Sequence, residues 1–324
     1  MAAIEAHDLV KTYGSTTALD GASFEVPEAT VLGLLGPNGA GKTTAVKVLT
    51  TLTRPDSGAA QVAGVDVLAD PDVLRTRIGL AGQYSAVDER LTGRENLEMF
   101  GRLTHMPRSD VRRRATQLLE RFDLADAGDR VTRGYSGGMR RRLDLASALV
   151  NTPPVLFLDE PTTGLDPRSR IQLWGVISEL VDDGTTLLLT TQYLEEADRL
   201  ADRIAVIDSG RVIADGTADE LKDAAGGSVL EVRVAGRGRA GEVAALLADL
   251  TSGEPEVDEV TEEVSVPVES GALTLLRHAS ERLDDSDLDV TAIGIRRPTL
   301  DDVFLTLTGQ ALEPAASDDD TDDR

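Results

Sequence analysis

Gly36-Pro37-Asn38-Gly39-Ala40-Gly41-Lys42-Thr43-Thr44 decides the reading of this chain. It fits the phosphate-loop pattern of a glycine, four residues, then Gly-Lys-Ser/Thr. The apolar run Val31–Leu35 stands directly before it and a helical pattern starts near Thr44, so the loop joins a buried strand to a helix. Glycines let backbone N–H groups turn inward onto phosphate oxygens. Lys42 can reach the β and γ phosphates of a nucleotide, and the Thr43 hydroxyl can hold Mg2+. The helix that follows points its positive end at the anion.

Working outward, the apolar run 155–158 ends in Asp159-Glu160. A strand ending in two acids sets both at the carboxyl edge of a sheet, where ligands of open α/β folds sit. Asp159 is expected to hold Mg2+ through water, and Glu160 to face the γ phosphate and polarise the attacking water. Strands often end in acids, so the pair takes its meaning from the phosphate loop. A third stretch, Tyr135-Ser136-Gly137-Gly138-Met139, opens a helix that continues with Arg140-Arg141-Arg142. Such a turn is a second anion site, and Ser136 equally suits an ordinary helix N-cap.

In this order the motifs resemble the nucleotide-binding subunit of an ATP-binding-cassette (ABC) transporter. Residues 36–44 look like its Walker A loop, 156–160 like Walker B, and Gly164-Leu165-Asp166 like the D-loop. Residues 135–139 look like the signature sequence, with Tyr135 for the usual Leu and Met139 for the usual Gln. Gln83 stands where the Q-loop glutamine belongs. The resemblance gives it a contact with the nucleotide and Mg2+, and a role in coupling γ-phosphate occupancy to residues 86–103, the region expected to touch a membrane subunit. Tyr13 sits where an aromatic residue stacks on adenine. The resemblance implies a head-to-tail homodimer with ATP between subunits, Lys42, Thr43 and Asp159 of one copy facing Ser136, Gly137 and Gly138 of the other. Asp166 would touch the opposite subunit near its phosphate site, and it also suits an N-cap before Pro167.

The match narrows further. The signature helix, Thr190-Thr191-Gln192-Tyr193-Leu194-Glu195-Glu196-Ala197-Asp198, and Arg297-Pro298-Thr299-Leu300-Asp301-Asp302-Val303-Phe304-Leu305 are similar to the daunorubicin/doxorubicin-resistance type of exporter ATPase. That group works with a separate integral membrane subunit of the ABC-2 type, which implies a place on the cytoplasmic face of the cell membrane and efflux of a drug-like or other hydrophobic compound. One departure from the general family matters. Gln192 replaces the switch histidine, and none of His7, His105 and His278 falls in that loop. An amide donates and accepts hydrogen bonds but carries no proton at neutral pH. Gln192 is therefore assigned to γ-phosphate sensing and water orientation, Glu160 to the general-base role, and Lys42 to phosphate charge.

The implied fold is α/β: a P-loop NTPase cassette with a RecA-like core, a β-subdomain and a helical subdomain at about 86–150, followed by a small C-terminal α+β domain. Buried parallel strands are expected at Val31–Leu35, 155–158, 186–190 and Arg203–Asp208, because short uninterrupted apolar runs suit strands covered on both faces. The cassette is expected to occupy 1–227, ending in the Ala-Ala-Gly-Gly stretch 224–227. The accessory domain is expected at 228–309 and an acidic disordered tail at 310–324. Within the accessory domain the pattern reads strand, helix, two strands, helix, strand. Leu230, Val232 and Val234 form the first strand, Val260, Val264, Val266 and Val268 lie across a hairpin, and helices cover 240–250 and 273–283. A strand covers 290–295, and a terminal helix follows Pro298.

Charge and composition bound the function. The 324 residues carry 33 Lys+Arg against 57 Asp+Glu, a formal charge of −24. A general nucleic-acid surface needs clustered Lys/Arg, and this balance argues against one. Cysteine is absent, so there is no disulfide and no thiolate site. No apolar stretch approaches the ~20 residues of a spanning helix, and the N-terminus lacks the basic and apolar regions of a signal peptide. Residues 1–227 carry 34 acids and 25 bases, whereas 228–324 carry 23 acids and 8 bases. The residues at 140–142 are expected to keep the polyanion site locally basic. With 4 Lys against 29 Arg, both a high-salt cytoplasm and a GC-rich genome are open readings. Also open are a soluble ABC ATPase acting on ribosomes or DNA, a regulatory module with little hydrolysis, and export of a lipid or polysaccharide.

Overall fold

The computed structural model describes residues 2–82, 86–224, 228–236, 238–250, 255–268 and 271–309. They divide into two compact units, one ending at Ala218 and the other beginning at Asp219. The first carries β1 (Ala2–Tyr13), β2 (Thr16–Pro27), β3 (Val31–Leu35), α1 (Lys42–Leu49), β4 (Ser57–Val62), β5 (Val65–Asp66), α2 (Pro71–Arg77) and β6 (Ile78–Ala81). It continues with α3 (Gly93–Leu103), α4 (Arg108–Arg121), α5 (Gly137–Ala148), β7 (Val155–Asp159) and α6 (Pro167–Asp182). Then come β8 (Thr186–Thr191), α7 (Leu194–Leu200), β9 (Arg203–Asp208) and β10 (Arg211–Gly216).

The central sheet has the order β10-β9-β3-β8-β7-β6. The strands from β9 to β6 run parallel and β10 closes one edge antiparallel to β9. Every residue of β3, β7 and β8 is buried. Period-2 alternation sends each strand's side chains into two different cores. Leu32, Leu34, Val155, Phe157 and Leu188 meet α1 and the antiparallel sheet β2-β1-β4-β5 on one face. Val31, Leu156, Leu158, Leu187 and Leu189 meet α5 and α6 on the other. The four expected parallel strands are all present, with β7 and β8 each one residue longer than the apolar run because Asp159 and Thr191 continue the ladder.

The helical stretch begins at α3, whose start is fixed by a capping box. Thr92 Oγ1 accepts from the Glu95 N–H, and the Glu95 carboxylate accepts from the Thr92 N–H. The first unit's helix α1 starts at Lys42, two residues before Thr44, so Lys42 and Thr43 sit in its first turn.

The division between units falls after Ala218, the first residue of α8 (Ala218–Ala224), and the glycine stretch follows that helix. The second unit contains β11 (Ser228–Val234), α9 (Ala240–Leu247), β12 (Glu256–Asp258), β13 (Glu263–Val268), α10 (Ala272–Asp284), β14 (Val290–Arg296) and α11 (Leu300–Thr308). Its antiparallel sheet has the order β12-β13-β11-β14. Leu230, Val232, Val234, Val264, Val266 and Val268 pack on Val243, Leu247, Leu275, Ala279 and Leu283 of α9 and α10. Val260 is a correction to the hairpin reading: it lies in the turn, 93% exposed. Asp258 Oδ1 accepts the N–H groups of Val260 and Thr261, which ends β12 early, and Val257 is the residue that pairs with Val264. Residues 225–227 and the tail 310–324 lie outside the described residues.

Candidate active site

Register brings the motifs to one edge. Leu35 of β3 aligns with Thr191 of β8, Asp159 of β7 with Thr190, and Leu158 with Ala81 of β6. The phosphate loop, Glu160 and Gln192 therefore all begin at the carboxyl end of neighbouring parallel strands, where an open α/β sheet takes its ligand. Gln192 is half-buried in the bend after β8. Gln83 lies outside the described residues.

The loop itself is shaped by close backbone approach. A Cβ on Gly36 would run into the Ile207 carbonyl. Gly41, the N-cap of α1, has φ +112 and would drive a Cβ into the Ala18 carbonyl. Lys42 is 4% exposed. Its Nζ donates to the carbonyls of Gly36 (2.6 Å) and Pro37 (3.0 Å) and lies 3.9 Å from Glu160 Oε1. Burial lowers its pKa, and the carboxylates of Glu160 and Asp159 oppose that shift.

Asp159 is buried at the end of β7. Its Oδ1 accepts from Thr190 Oγ1 (2.5 Å) and Thr43 Oγ1 (3.3 Å). Thr43 and Asp159 thus present hard oxygen donors side by side, the chemistry that suits Mg2+. Glu160 turns the chain sharply. Its φ is +49, and its N–H donates to both the carbonyl and the hydroxyl of Thr190. A left-handed non-glycine residue costs roughly 1–2 kcal/mol, so surrounding bonds must hold it. A cavity of about 370 Å³ opens over these groups, lined by Ala18, Pro37, Asn38, Gly39, Gly41, Lys42, Thr43, Thr44 and Glu160. Ala40, within the loop, is buried.

Tyr13, Ser136, Gly137, Gly138 and Asp166 lie outside the lining of this cavity. Tyr13 ends β1, 46% exposed, with Lys11 Nζ 5.5 Å from its ring centre. Ser136 caps α5, its Oγ accepting the Met139 N–H at 3.2 Å. Asp166 caps α6 by accepting from the N–H and hydroxyl of Ser169. These hydrogen bonds hold the exposed Asp166 carboxyl below its ordinary pKa. The two helix starts touch, since a Cβ on Gly138 would meet Ser169 Oγ at 2.7 Å. Gly137 faces open space. Tyr135 is buried and its hydroxyl donates to the Ala127 carbonyl at 2.7 Å, in room that exists because Gly93 has no side chain.

The basic stretch at 140–142 departs from expectation. Arg140 pairs with Glu89 (2.9 Å), Arg142 reaches the Phe122 carbonyl (3.0 Å) and Asp123, and Arg141 is turned inward onto backbone carbonyls. Each of the three guanidinium groups is engaged by this chain's own groups, because helix periodicity splays consecutive residues to different faces. Thr190 and Arg141 are the residues in contact with the site acids to which the sequence reading gives no such contact. Thr190 stands in the stretch 190–198 but is assigned no role there. Arg141 carried one signal, an acid three positions later in Asp144 on the same helix face.

Comparison with known proteins agrees with this geometry. A family model described as "ABC transporter" matches residues 19–163. A daunorubicin resistance ATP-binding protein of Streptomyces coeruleorubidus is 58% identical over 311 residues, covering 96% of each chain. A Nod factor export ATP-binding protein I of Paraburkholderia xenovorans is 39% identical over 313 residues, covering 96% of this chain and 99% of that one. Among solved structures, a dimeric post-hydrolysis ATP-binding cassette bound to ADP and Pi superposes with a TM-score of 0.61 at 26% identity, covering 66% of this chain and 98% of that one. With the phosphate loop, the paired acids and the Ser-Gly-Gly helix start on a doubly covered parallel sheet, this chain belongs to the ABC transporter family as one of its nucleotide-binding ATPase subunits.

Proposed function

We propose that this chain is the ATP-hydrolysing subunit of an ABC-2 type exporter, and that it drives efflux of a drug-like hydrophobic compound through a separate membrane subunit from the cytoplasmic face of the membrane. The likeness to a resistance subunit over nearly the whole length of both chains carries this reading. No described helix is long and apolar enough to cross a membrane, and this reading gives the passage for cargo to a separate membrane subunit.

ATP enters the cavity over the phosphate loop. Lys42 leaves the carbonyls of Gly36 and Pro37 for the β and γ phosphates, and the loop N–H groups take the remaining oxygens. Tyr13 stacks on adenine. Thr43 and Asp159, with Gln83, would hold Mg2+, which supplies charge neutralisation on the phosphate oxygens. A second copy docks head to tail, so that its Ser136-Gly137-Gly138 turn reads the γ phosphate and its Asp166 approaches the same edge. ATP favours this closed dimer and ADP does not, a differential affinity that can drive a switch. Glu160 accepts the proton of the attacking water, and Gln192 orients that water and senses the phosphate. Catalysis is by positioning and charge, without a covalent intermediate.

The test is ATP-dependent uptake of a labelled anthracycline into inside-out vesicles carrying this chain and its membrane subunit, with phosphate release measured in parallel. Uptake that requires both chains and ATP is expected. Phosphate release without uptake of the anthracycline overturns the drug-efflux reading, and absence of phosphate release overturns the ATPase role.

A further inference from the structure

Arg141 is a saturated guanidinium. From α5 its Nε donates to the Pro161 carbonyl (2.7 Å), Nη1 to the Gly82 carbonyl (2.6 Å) and Asp144 Oδ2 (3.4 Å), and Nη2 to the carbonyls of Asp159 (3.1 Å) and Glu160 (3.0 Å). A guanidinium has five N–H donors, and here five oxygens receive them. None remains for a nucleotide. Asp144, buried one turn further along, accepts the Ala86 N–H at 2.8 Å through its other oxygen.

One side-chain pair therefore grips two places at once. It holds three successive carbonyls at and just past the end of β7, those of residues 159, 160 and 161. It also holds both flanks of the segment between Gly82 and Ala86, by the carbonyl of one and the N–H of the other. The first of these places contains the strained turn at Glu160, whose φ of +49 persists only if its neighbours fix it. The direction of the Glu160 carbonyl is tied through φ and ψ to the direction of its side chain, which faces Lys42 across 3.9 Å.

We infer that Arg141, braced by Asp144, is a positioning residue that aims the Glu160 carboxylate. The inference rests on the reading of Glu160 as the general base. Lys at this position would keep the charge but bring only three donors from one atom, so it cannot span the same five oxygens.

The test uses the full-length chain and four variants: Arg141→Gln, Arg141→Lys, Glu160→Gln and the double variant Arg141→Gln/Glu160→Gln. Steady-state hydrolysis gives kcat and KM, single-turnover hydrolysis reads the slow variants, and a fluorescent ATP analogue gives Kd. Misplacing a catalytic group by about 1 Å costs on the order of 100-fold in rate. Arg141→Gln is expected to lower kcat by roughly 10- to 100-fold while Kd changes by less than about twofold. Arg141→Lys is expected to restore little of the rate, and it carries the test if Arg141→Gln fails to fold. The double variant is expected to hydrolyse no more slowly than Glu160→Gln alone, because the group being aimed is already gone. Wild-type kcat in Arg141→Gln or Arg141→Lys overturns the inference. So does an equal fold-loss from Arg141→Gln with and without Glu160, or a parallel loss of kcat and ATP affinity. Wild-type turnover by Glu160→Gln instead overturns the base reading, a result visible in that single variant alone.

Discussion

Lys42 Nζ lies 3.9 Å from Glu160 Oε1, with the lysine 4% and the glutamate 11% exposed, yet the ammonium spends its hydrogen bonds on the loop carbonyls of Gly36 and Pro37. The charge is held in place by its own loop; burial lowers the Lys42 pKa, and the carboxylates of Glu160 and Asp159 oppose that shift. A triphosphate has only to outcompete two carbonyls to claim it.

Lys42→Ala removes that charge and leaves two carbonyls without their donor. ATP affinity is expected to fall by at least about tenfold, since a charge-assisted hydrogen bond contributes ~1.5–3 kcal/mol, and turnover is expected to vanish. Fluorescent-nucleotide titration and phosphate release check both. Wild-type affinity together with wild-type turnover would remove Lys42 from the site.

Glu160→Gln keeps the side chain's size and leaves the backbone bonds to Thr190 and Arg141 in place. ATP binding is expected to persist while hydrolysis slows by ~10²- to 10⁴-fold, the usual contribution of a general base. The undischarged ATP is expected to hold a dimer, visible by size-exclusion chromatography run in ATP and lost in ADP. A variant that stays monomeric in ATP would count against closure by nucleotide.

Ser136 serves two purposes that can be separated. Ser136→Ala deletes the cap on Met139 and is expected to cost ~1 kcal/mol of stability. Ser136→Arg adds bulk at the turn proposed to face a second copy. It is expected to abolish ATPase activity while leaving ATP binding by the monomer intact. Undiminished hydrolysis in Ser136→Arg would sink the shared site.

Glu196 offers a pH-dependent prediction outside the motifs. Its carboxyl is buried, accepting from Trp174 Nε1 at 3.1 Å, and burial raises its pKa above the ordinary 4.5, against the pull of Thr191, Trp174, Thr162 and Arg170. Above pH 4.5 the unfolded chain gives up this proton while the folded chain keeps it. Stability from this group is therefore present below the unfolded pKa and lost as pH rises through the folded one. Glu196→Gln is expected to flatten the Tm–pH profile above pH 4.5, and a profile parallel to wild type would show that the carboxyl is not the source.

The legible parts were those with local causes. Gly36 and Gly41 announce a loop that only glycine can make, and the apolar run before it can only be a covered strand. Ser136 and Asp166 sit where helices start, and each accepts the backbone N–H three residues on, as an N-cap does. In the second unit the alternation of Leu230, Val232 and Val234 was enough to place a half-buried strand. Val260 misled because its valine neighbours alternate with it, while the Asp258 turn that ejects it depends on a side chain accepting from the backbone. The antiparallel sheet of β1, β2, β4 and β5 was anticipated through family likeness and not through its own pattern.

What the sequence determined alone is the chemistry: phosphate loop, paired acids, capped Ser-Gly-Gly turn, glutamine in place of a histidine, and an excess of acid concentrated after residue 227. These are properties of residue type and short spacing, and they survive without knowledge of distant contacts. Tertiary structure decided what those residues face. Parallel register between strands far apart in sequence is what sets Gly36, Glu160 and Gln192 at one edge. Helix packing is what turns Arg141, the middle of three identical residues, away from solvent and onto the carbonyls of residues 82 and 159–161. Side-chain identity states which bonds a residue can make, and only the long-range fold supplies the partners.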